Sequence, residues 1–326
     1  MPQDFRRYIL KKTAYLTLTL FLILSFNFFL FRMMPGDVAR VLIPRGADEE
    51  TIARLTEYYG LDRPPLEQYL TYLKQTFTGH FGESITVYPG SSIEDLLVPF
   101  LVNTLILVGI GAVLSIVVGM YLGRHSAWKR GKITDRFYST FFIIFYCMPT
   151  FLFALVLLTL IARFSPDWPI KGAYGVDYGS YDFLGKLADR TVHTVLPLFA
   201  LVVQSIALFS IITRSSLTDV LTQEYMVTAV AKGLKNRDIL RHHAMPNAML
   251  PIMAAIAMDI GWIISGAIMI EVVFSYQGLG YLEWIAVVGS DYPLIQVIFM
   301  IQAVAVIVGN FAADLMLFSL DPRVKI

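Results

Sequence analysis

Charge and cysteine are both scarce in this sequence. Of its 326 residues 16% are charged and 56% hydrophobic, the formal net charge is +1, and Cys147 is the single cysteine. A soluble domain of this length carries more charge. One cysteine excludes an intrachain disulfide and any cysteine-built metal centre, and its place in an apolar run assigns it to packing. A net charge near zero also excludes a nucleic-acid-binding surface running the length of the chain.

The usual devices of catalysis are missing as well. A phosphate loop needs G-x-x-x-x-G-K-[ST], and the nearest stretches, Gly131-Lys132-Ile133 and Gly185-Lys186-Leu187, lack both the hydroxyl residue and the upstream glycine. There is no H-E-x-x-H and no G-x-S-x-G. The adjacent His242 and His243 point in different directions on a helix and make a poor metal pair. The expectation is a chain with no catalytic residue, no metal site and no cofactor of its own.

What the sequence has in abundance is long apolar runs. Six of them, at about 13–31, 101–123, 137–162, 192–213, 248–270 and 293–318, approach or exceed the roughly 20 residues that a membrane-crossing helix needs. The first follows Arg6, Arg7, Lys11 and Lys12 and continues to Phe31 without a cleavage signature, so it is read as a retained anchor. The fold class expected is an all-α integral membrane protein with six transmembrane helices.

Six spans place the connecting segments alternately on two faces. The face holding 1–12, 124–136, 214–246 and 321–326 carries 16 of the 26 Lys and Arg. Positive charge marks the cytoplasmic side, so both termini are expected there, in a multi-pass protein of the cell membrane. The long segment 32–100 then projects outward, with ten acidic residues. Asp48 is placed to cap a helix carrying Ile52, Leu55 and Tyr59 and stopped by Gly60, while Leu66, Tyr69, Leu70, Leu73 and Phe77 mark a second helical face. Ser91 and Ser92, with Glu94 and Asp95 three residues on, read as overlapping capping boxes that start the helix into span two. The organisation expected is a cytoplasmic segment with helix one (1–31), a helical extracytoplasmic subdomain (32–100) and a five-helix core (101–326).

Polar groups at membrane depth are costly and are candidates for function. Asp259 lies deepest and has two readings, a polar pathway or proton site and a carboxylate bonded to a neighbouring helix. Glu271 and Asp314 fall near opposite interfaces, where helix-end pairing is the simpler role. Asn103, Gln204, Gln296, Gln302 and Asn310 are the amides within spans, suited to interhelical bonding. Asp259, Glu271, Asn103 and Gln204 form the candidate pathway set. Gly119-Met120-Tyr121-Leu122-Gly123 fits a close helix contact.

Between spans four and five stands a polar interruption, 224–246. Glu224 to Lys232 is helix-compatible, Gly233 is placed to adopt the left-handed conformation that ends a helix, and Asn236 is placed to cap a second short helix through Ile239, Leu240 and His243, until Pro246 and Pro251 restart the chain. Thr228, Ala229 and Ala231 keep the first helix slim. Such a peg suits insertion into a partner's groove; an amphipathic helix lying on headgroups is the alternative.

This stretch resembles a known family. Thr228-Ala229, Gly233 and Pro246 thirteen residues later are similar to the EAA-x3-G-x9-I-x-L-P signature of ABC importer permeases. Tyr225, Thr228-Ala229, Ala231-Lys232-Gly233-Leu234, Arg241-His242 and Asn247-Ala248 before Leu250-Pro251 resemble its dipeptide, oligopeptide and nickel branch. Pro35-Gly36-Asp37, Gly60-Leu61-Asp62-Arg63-Pro64, Phe81-Gly82-Glu83-Ser84, Glu271-Val272-Val273-Phe274 with Gly278-Leu279-Gly280, Asp291-Tyr292-Pro293 and Asp321-Pro322-Arg323 agree along nearly the whole chain. The outer segment after span one matches the B-type (DppB or OppB type) permease of the two in such transporters. Val227 stands where the signature has Glu and this branch often Arg, His243 replaces the Ile, and Gln277 replaces a usual Pro.

The resemblance implies a pathway shared with a second, homologous C-type permease. Two ATP-binding subunits would hold ATP and Mg on the cytoplasmic side, and an extracytoplasmic substrate-binding protein would deliver cargo. The coupling residues it implies are Glu224, Thr228, Ala229, Lys232, Gly233, Asn236, Arg241, His243 and Pro246. Di- or oligopeptides are the substrate expected, with oligosaccharides, nickel chelates and other small solutes as alternatives. A proton-coupled secondary transporter is the rival class, and it gives the peg no purpose.

Overall fold

In lipid every backbone N–H and C=O must be satisfied within the protein, so apolar runs of this length are expected as long helices. The computed structural model describes residues 3–33, 50, 53, 56–57, 62–262 and 267–320. Its named helices are α1 (Gln3–Met33), α2 (Pro65–Thr78), α3 (Ile93–Trp128), α4 (Ile133–Cys147), α5 (Thr150–Phe164), a 3-10 turn (Val176–Ser180), α6 (Phe183–Leu221), α7 (Glu224–Ala231), α8 (Asn236–Asp238), a π-turn (Ile239–Ala244), α9 (Met245–Trp262), α10 (Ile268–Val273), α11 (Leu279–Gly289) and α12 (Tyr292–Leu320). Among the described residues the β-structure is one isolated bridge, Glu83 to Ser92.

Among the described residues four helices are long and apolar enough to cross a membrane: Leu10–Arg32 within α1, α3, α6, and Tyr292–Leu315 within α12. They correspond to the first, second, fourth and sixth expected spans. The third, expected as one helix over 137–162, is instead the pair α4 and α5, bent by 99°. Its cause is Pro149, which pushes Met148 out of the helical region to ψ 127. Gln204 on α6 serves the break, donating to Met148 O at 2.8 Å and accepting from the Thr150 hydroxyl. The fifth expected span, 248–270, is divided between α9 and α10, with 263–266 outside the described residues.

Four local expectations are corrected. The chain does not restart at Pro246: α8, the π-turn and α9 follow one another from Asn236 to Trp262. A proline ring collides with the carbonyl four residues back, and the wider π-turn just before Pro246 relieves that collision. Asn236 is the first residue of α8 rather than its cap, with Lys235 at the cap position and no side-chain capping bond. The capping boxes at the start of α3 do not form, because Ser92 Oγ is buried without a partner and Glu94 accepts instead from Phe81 N at 3.4 Å. Cys147, expected in packing, is exposed at the end of α4.

The chain forms two compact units. In the first, built mainly from Met1–Val102 and Tyr281–Ile307, α2 lies against α1. Only Tyr69 of the expected face makes a bonded contact, its OH pairing with Ser25 Oγ at 2.6 Å. Tyr72, outside that face, accepts from Asn27 Nδ2 at 3.2 Å, and both rings meet Phe28. Leu66, Leu70 and Phe77 are exposed, because the aromatic rings of α1 select the tyrosine side of α2. The helix expected around Ile52 to Tyr59 lies outside the described residues. A tight loop over 82–92 is pinned by fully buried Asp291. One carboxylate oxygen accepts from Ser84 Oγ at 2.6 Å and from Ile85 N, Thr86 N and Val87 N, each at 3.1 Å. Two landmarks about 200 residues apart, Phe81-Gly82-Glu83-Ser84 and Asp291-Tyr292-Pro293, are thus one structural fastening.

The second unit contains Asn103–Gly280 and Val308–Lys325, and α6 runs through it against α4, α5 and α9. The Gly119 to Gly123 stretch of α3 makes the close contact expected, with Ser210 Oγ on α6 donating to Gly119 O at 3.1 Å. Beside it Arg214 grips Asp135 with two bonds of 2.7 and 2.9 Å, while Ser126 Oγ and Gly131 N donate to the same carboxylate.

Candidate functional site

Two constellations collect most of the predicted residues, both in the second unit. The first is centred on Glu271 in α10, which is 0% exposed. Its Oε1 accepts from Thr104 Oγ1 at 2.6 Å and its Oε2 from Gly280 N at 2.7 Å. The Thr104 hydroxyl in turn accepts from Leu279 N at 2.7 Å. Asn103, one residue before, donates to Gln277 O at 2.7 Å. A Cβ on Gly278 would land on the Glu271 carboxyl itself. The Gly278-Leu279-Gly280 landmark therefore reads as the backbone that Glu271 requires: one glycine leaves space for the carboxyl and another gives it an N–H.

Gln277, which departs from the usual proline, uses its side chain here. Its Oε1 accepts from Ala173 N at 2.5 Å, and Gly172 N donates to Phe274 O at 3.0 Å, so the segment between α5 and α6 is fastened to the α10 turn. Ala173, Phe274 and Tyr276 share one buried cluster with Leu107, Leu196 and Ile270. Of the pathway candidates, Asn103 and Glu271 are brought together, Gln204 stands apart at the α4–α5 bend, and the side chain of Asp259 lies outside the described residues. Thr104 and Gln277 carry as much of the cluster as the residues singled out by sequence. Thr104 follows Asn103 directly, and an adjacent pair of polar residues in an apolar span was the signal for it.

The second constellation is the interruption after α6. α7 buries Met226 and Ala229 against Leu217 of α6, Ala127 of α3, Ile239 and Ala244 of the π-turn and Ala248 of α9. Gly233 then turns the chain at φ +73, with nothing within 4 Å of where a Cβ would stand. Its N–H returns to Val230 O at 2.9 Å, and Lys232 N to Thr228 O at 3.1 Å. The helix and its glycine stop were legible in the sequence. Glu224, Thr228, Lys232, Gly233 and Asn236 are exposed on this unit, whereas Ala229 is in its core. Arg241 lines a cleft with Arg124 and Arg237, and Asn247 Nδ2 holds His243 O at 2.7 Å. Val227 is 69% exposed, with Val230 exposed one turn on and Leu234 exposed after the Gly233 turn. The free face of α7 is apolar where a charge was expected.

Comparison with known proteins places this geometry. Residues 115–326 match the family described as "Binding-protein-dependent transport system inner membrane component", and residues 5–90 match its N-terminal companion, "Binding-prot-dependent transport system membrane comp, N-term". The chain belongs to this family and is a permease subunit of an ABC importer, a component of the inner membrane.

Similar full-length proteins include the "Probable peptide ABC transporter permease protein y4tP" of Sinorhizobium fredii, 32% identical over 98% of this chain and 99% of that one. The "Oligopeptide transport system permease protein AppB" of Bacillus subtilis is 31% identical over 98% and 99%. The "Dipeptide transport system permease protein DppB" of Escherichia coli is 30% identical over 98% of each. Among solved structures, a chain of the inward-facing MetNI methionine ABC transporter has a similar fold, with a TM-score of 0.55 at 16% identity, over 69% of this chain and 96% of that chain.

Proposed function

We propose that this chain forms half of a peptide translocation pathway and is moved by ATP-binding subunits that grip α7 and the turn after it. The observation that carries the proposal is the α7 unit. A short helix is fixed to α6, α3 and α9 by Met226 and Ala229, its opposite side with Val227 and Val230 is left bare, and so is Leu234 after the turn. Burying each of those side chains in a partner's groove contributes about 1.5 kcal/mol or more. An apolar contact of this kind gives Val227 a purpose that an ionic one does not. Gly233 sets the direction in which the peg leaves its anchored base, and Glu224, Thr228, Lys232 and Asn236 form its polar surroundings.

Family membership supports the remaining parts of the proposal. A second, homologous C-type permease completes the pathway, two ATP-binding subunits hold ATP and Mg, and an extracytoplasmic protein delivers the substrate. This chain contributes six spans, both termini in the cytoplasm, a helical outer subdomain over 32–100, and no catalytic residue or cofactor. Peptides are the substrate class favoured by the relatives, whose names specify peptide, oligopeptide and dipeptide transport. Asn103, Glu271 and Gln204 act on the pathway by fixing the helices beside it, and Asp259 is the candidate for contact with substrate.

The test is uptake of labelled di- and oligopeptides by proteoliposomes holding the assembled transporter, with its binding protein outside and ATP inside. Accumulation that requires both ATP and the binding protein is expected. Uptake by this chain alone, driven by a proton gradient, would instead establish a secondary transporter.

A further inference from the structure

The second unit contains a cleft of about 490 Å³ lined by Arg124, Arg237, Leu240, Arg241 and Met245. Three arginines line one space, and among the described residues none of the three is within ion-pair distance of a carboxylate. Arg124 is stacked over the Tyr121 ring at 5.4 Å. Its helix is held firmly just before it, where Gly119 and Gly123 lie against Phe209 and Ser210 of α6. Three like charges around one cleft repel one another, and an anion placed among them removes that cost. Guanidinium groups present planar forks of N–H donors that match phosphate oxygens in pairs.

We infer that this cleft is a binding site for the phosphate headgroup of an anionic phospholipid. An acidic protein segment would also satisfy the charges, but two features favour lipid. The lining is also partly apolar, through Leu240 and Met245. Above Arg124, Val113, Val117 and Tyr121 recur every four residues of α3, all exposed, as an apolar stripe inside a helix of membrane-crossing length. An acyl chain lies along that stripe while its headgroup enters the arginine cleft, the arrangement expected where a basic pocket meets the end of a membrane span. Trp128, at the end of the same helix, is an aromatic side chain of the kind that settles at the interface. The cleft is formed in part by the π-turn that carries the chain from α7 into α9, so a bound lipid braces the base of the coupling unit. The inference requires that the chain be in a membrane and does not depend on what is transported.

The experiment is native mass spectrometry of the purified full-length chain, transferred from micelles containing phosphatidylcholine and phosphatidylglycerol in equal amounts. One retained phosphatidylglycerol per chain is expected. Its occupancy should fall roughly fivefold in Arg124→Gln and again in Arg124→Gln with Arg237→Gln, while Arg124→Lys, which keeps the charge, retains most of it. Thermal unfolding of each variant shows whether the fold is intact, and the exposed Arg237→Gln alone provides a second reading if Arg124→Gln fails to fold. Equal retention of phosphatidylglycerol by wild type and folded variants would overturn the inference. So would full competition by millimolar inorganic phosphate, which identifies a site for free anions. Displacement of the lipid when the ATP-binding subunits are added would assign the arginines to a protein contact and equally overturn it.

Discussion

Gly278→Ala is expected to remove the folded chain from the membrane fraction almost completely. A methyl group at that position would coincide with the Glu271 carboxyl, which is fully buried and holds Thr104 Oγ1 and Gly280 N. The turn is tight at the next glycine as well: a Cβ on Gly280 would lie 2.6 Å from the Ile268 backbone. Displacing Glu271 leaves a buried carboxyl and two buried donors without their partners, at a cost on the order of 3–5 kcal/mol. That is a large share of the stability of an ordinary domain. The measurement is the thermal unfolding midpoint of the detergent-purified chain, or its yield if none can be purified. A midpoint within two or three degrees of wild type would show that the turn has room the structure does not give it. No loss of peptide specificity is needed for this outcome, since the effect is on folding.

The second large effect concerns transport rather than folding. Gly233 has φ +73, a conformation a β-branched residue adopts only with strain of roughly 1–3 kcal/mol. Its surroundings are empty, so the penalty of Gly233→Val is purely conformational and the α7 core of Met226, Ala229 and Leu217 stays intact. The chain relieves the strain by re-aiming the turn, and the peg no longer enters its groove in register. ATP-dependent uptake is expected to fall by at least roughly tenfold while membrane insertion and unfolding temperature change little. Gly233→Asn, which tolerates the left-handed region, should retain most of the activity. Equal loss in both variants would mean that side-chain bulk, rather than backbone direction, decides the coupling.

The sequence was legible where local chemistry decides structure. Runs of apolar residues fixed four long helices, and the period of Leu66, Tyr69, Leu70, Leu73 and Phe77 located α2, although Leu66, Leu70 and Phe77 are exposed and Tyr72 joins Tyr69 at the contact. Gly233 ended α7 as its type and position required. It was less legible where a distant partner decides. Pro149 sits within a run that scores as continuous hydrophobicity, yet the bend it introduces persists because Gln204, more than fifty residues later, serves the exposed carbonyl. Ser91 and Ser92 had the spacing of capping boxes, but loop 82–92 is organised from outside by Asp291, and Glu94 is drawn to Phe81 instead. Asn236 had the identity of a cap but lost that position to Lys235 because the helix after it starts one residue early.

The candidate site was legible in the same uneven way. Landmark residues could be quoted from the sequence but not paired; the structure pairs Ser84 with Asp291 and Glu271 with Gly280. Both pairings are structural fastenings, which accounts for side chains so polar in segments so apolar. Val227 looked like a defect in a charged signature. On the bare side of α7, one turn before the exposed Val230, it is part of an apolar surface suited to the contact proposed.

That surface also gives the most direct test of how the chain is driven. Cys147, the one native thiol, is replaced by serine, Val227 is replaced by cysteine, and the assembled transporter is treated with a short thiol- and photo-reactive cross-linker. An adduct between this chain and an ATP-binding subunit is expected, in high yield, with ATP hydrolysis altering that yield as the peg is moved. If Val227→Cys is instead labelled by lipid-soluble reagents and yields no adduct with any ATP-binding subunit, α7 lies on the membrane surface and the coupling role assigned to it is wrong.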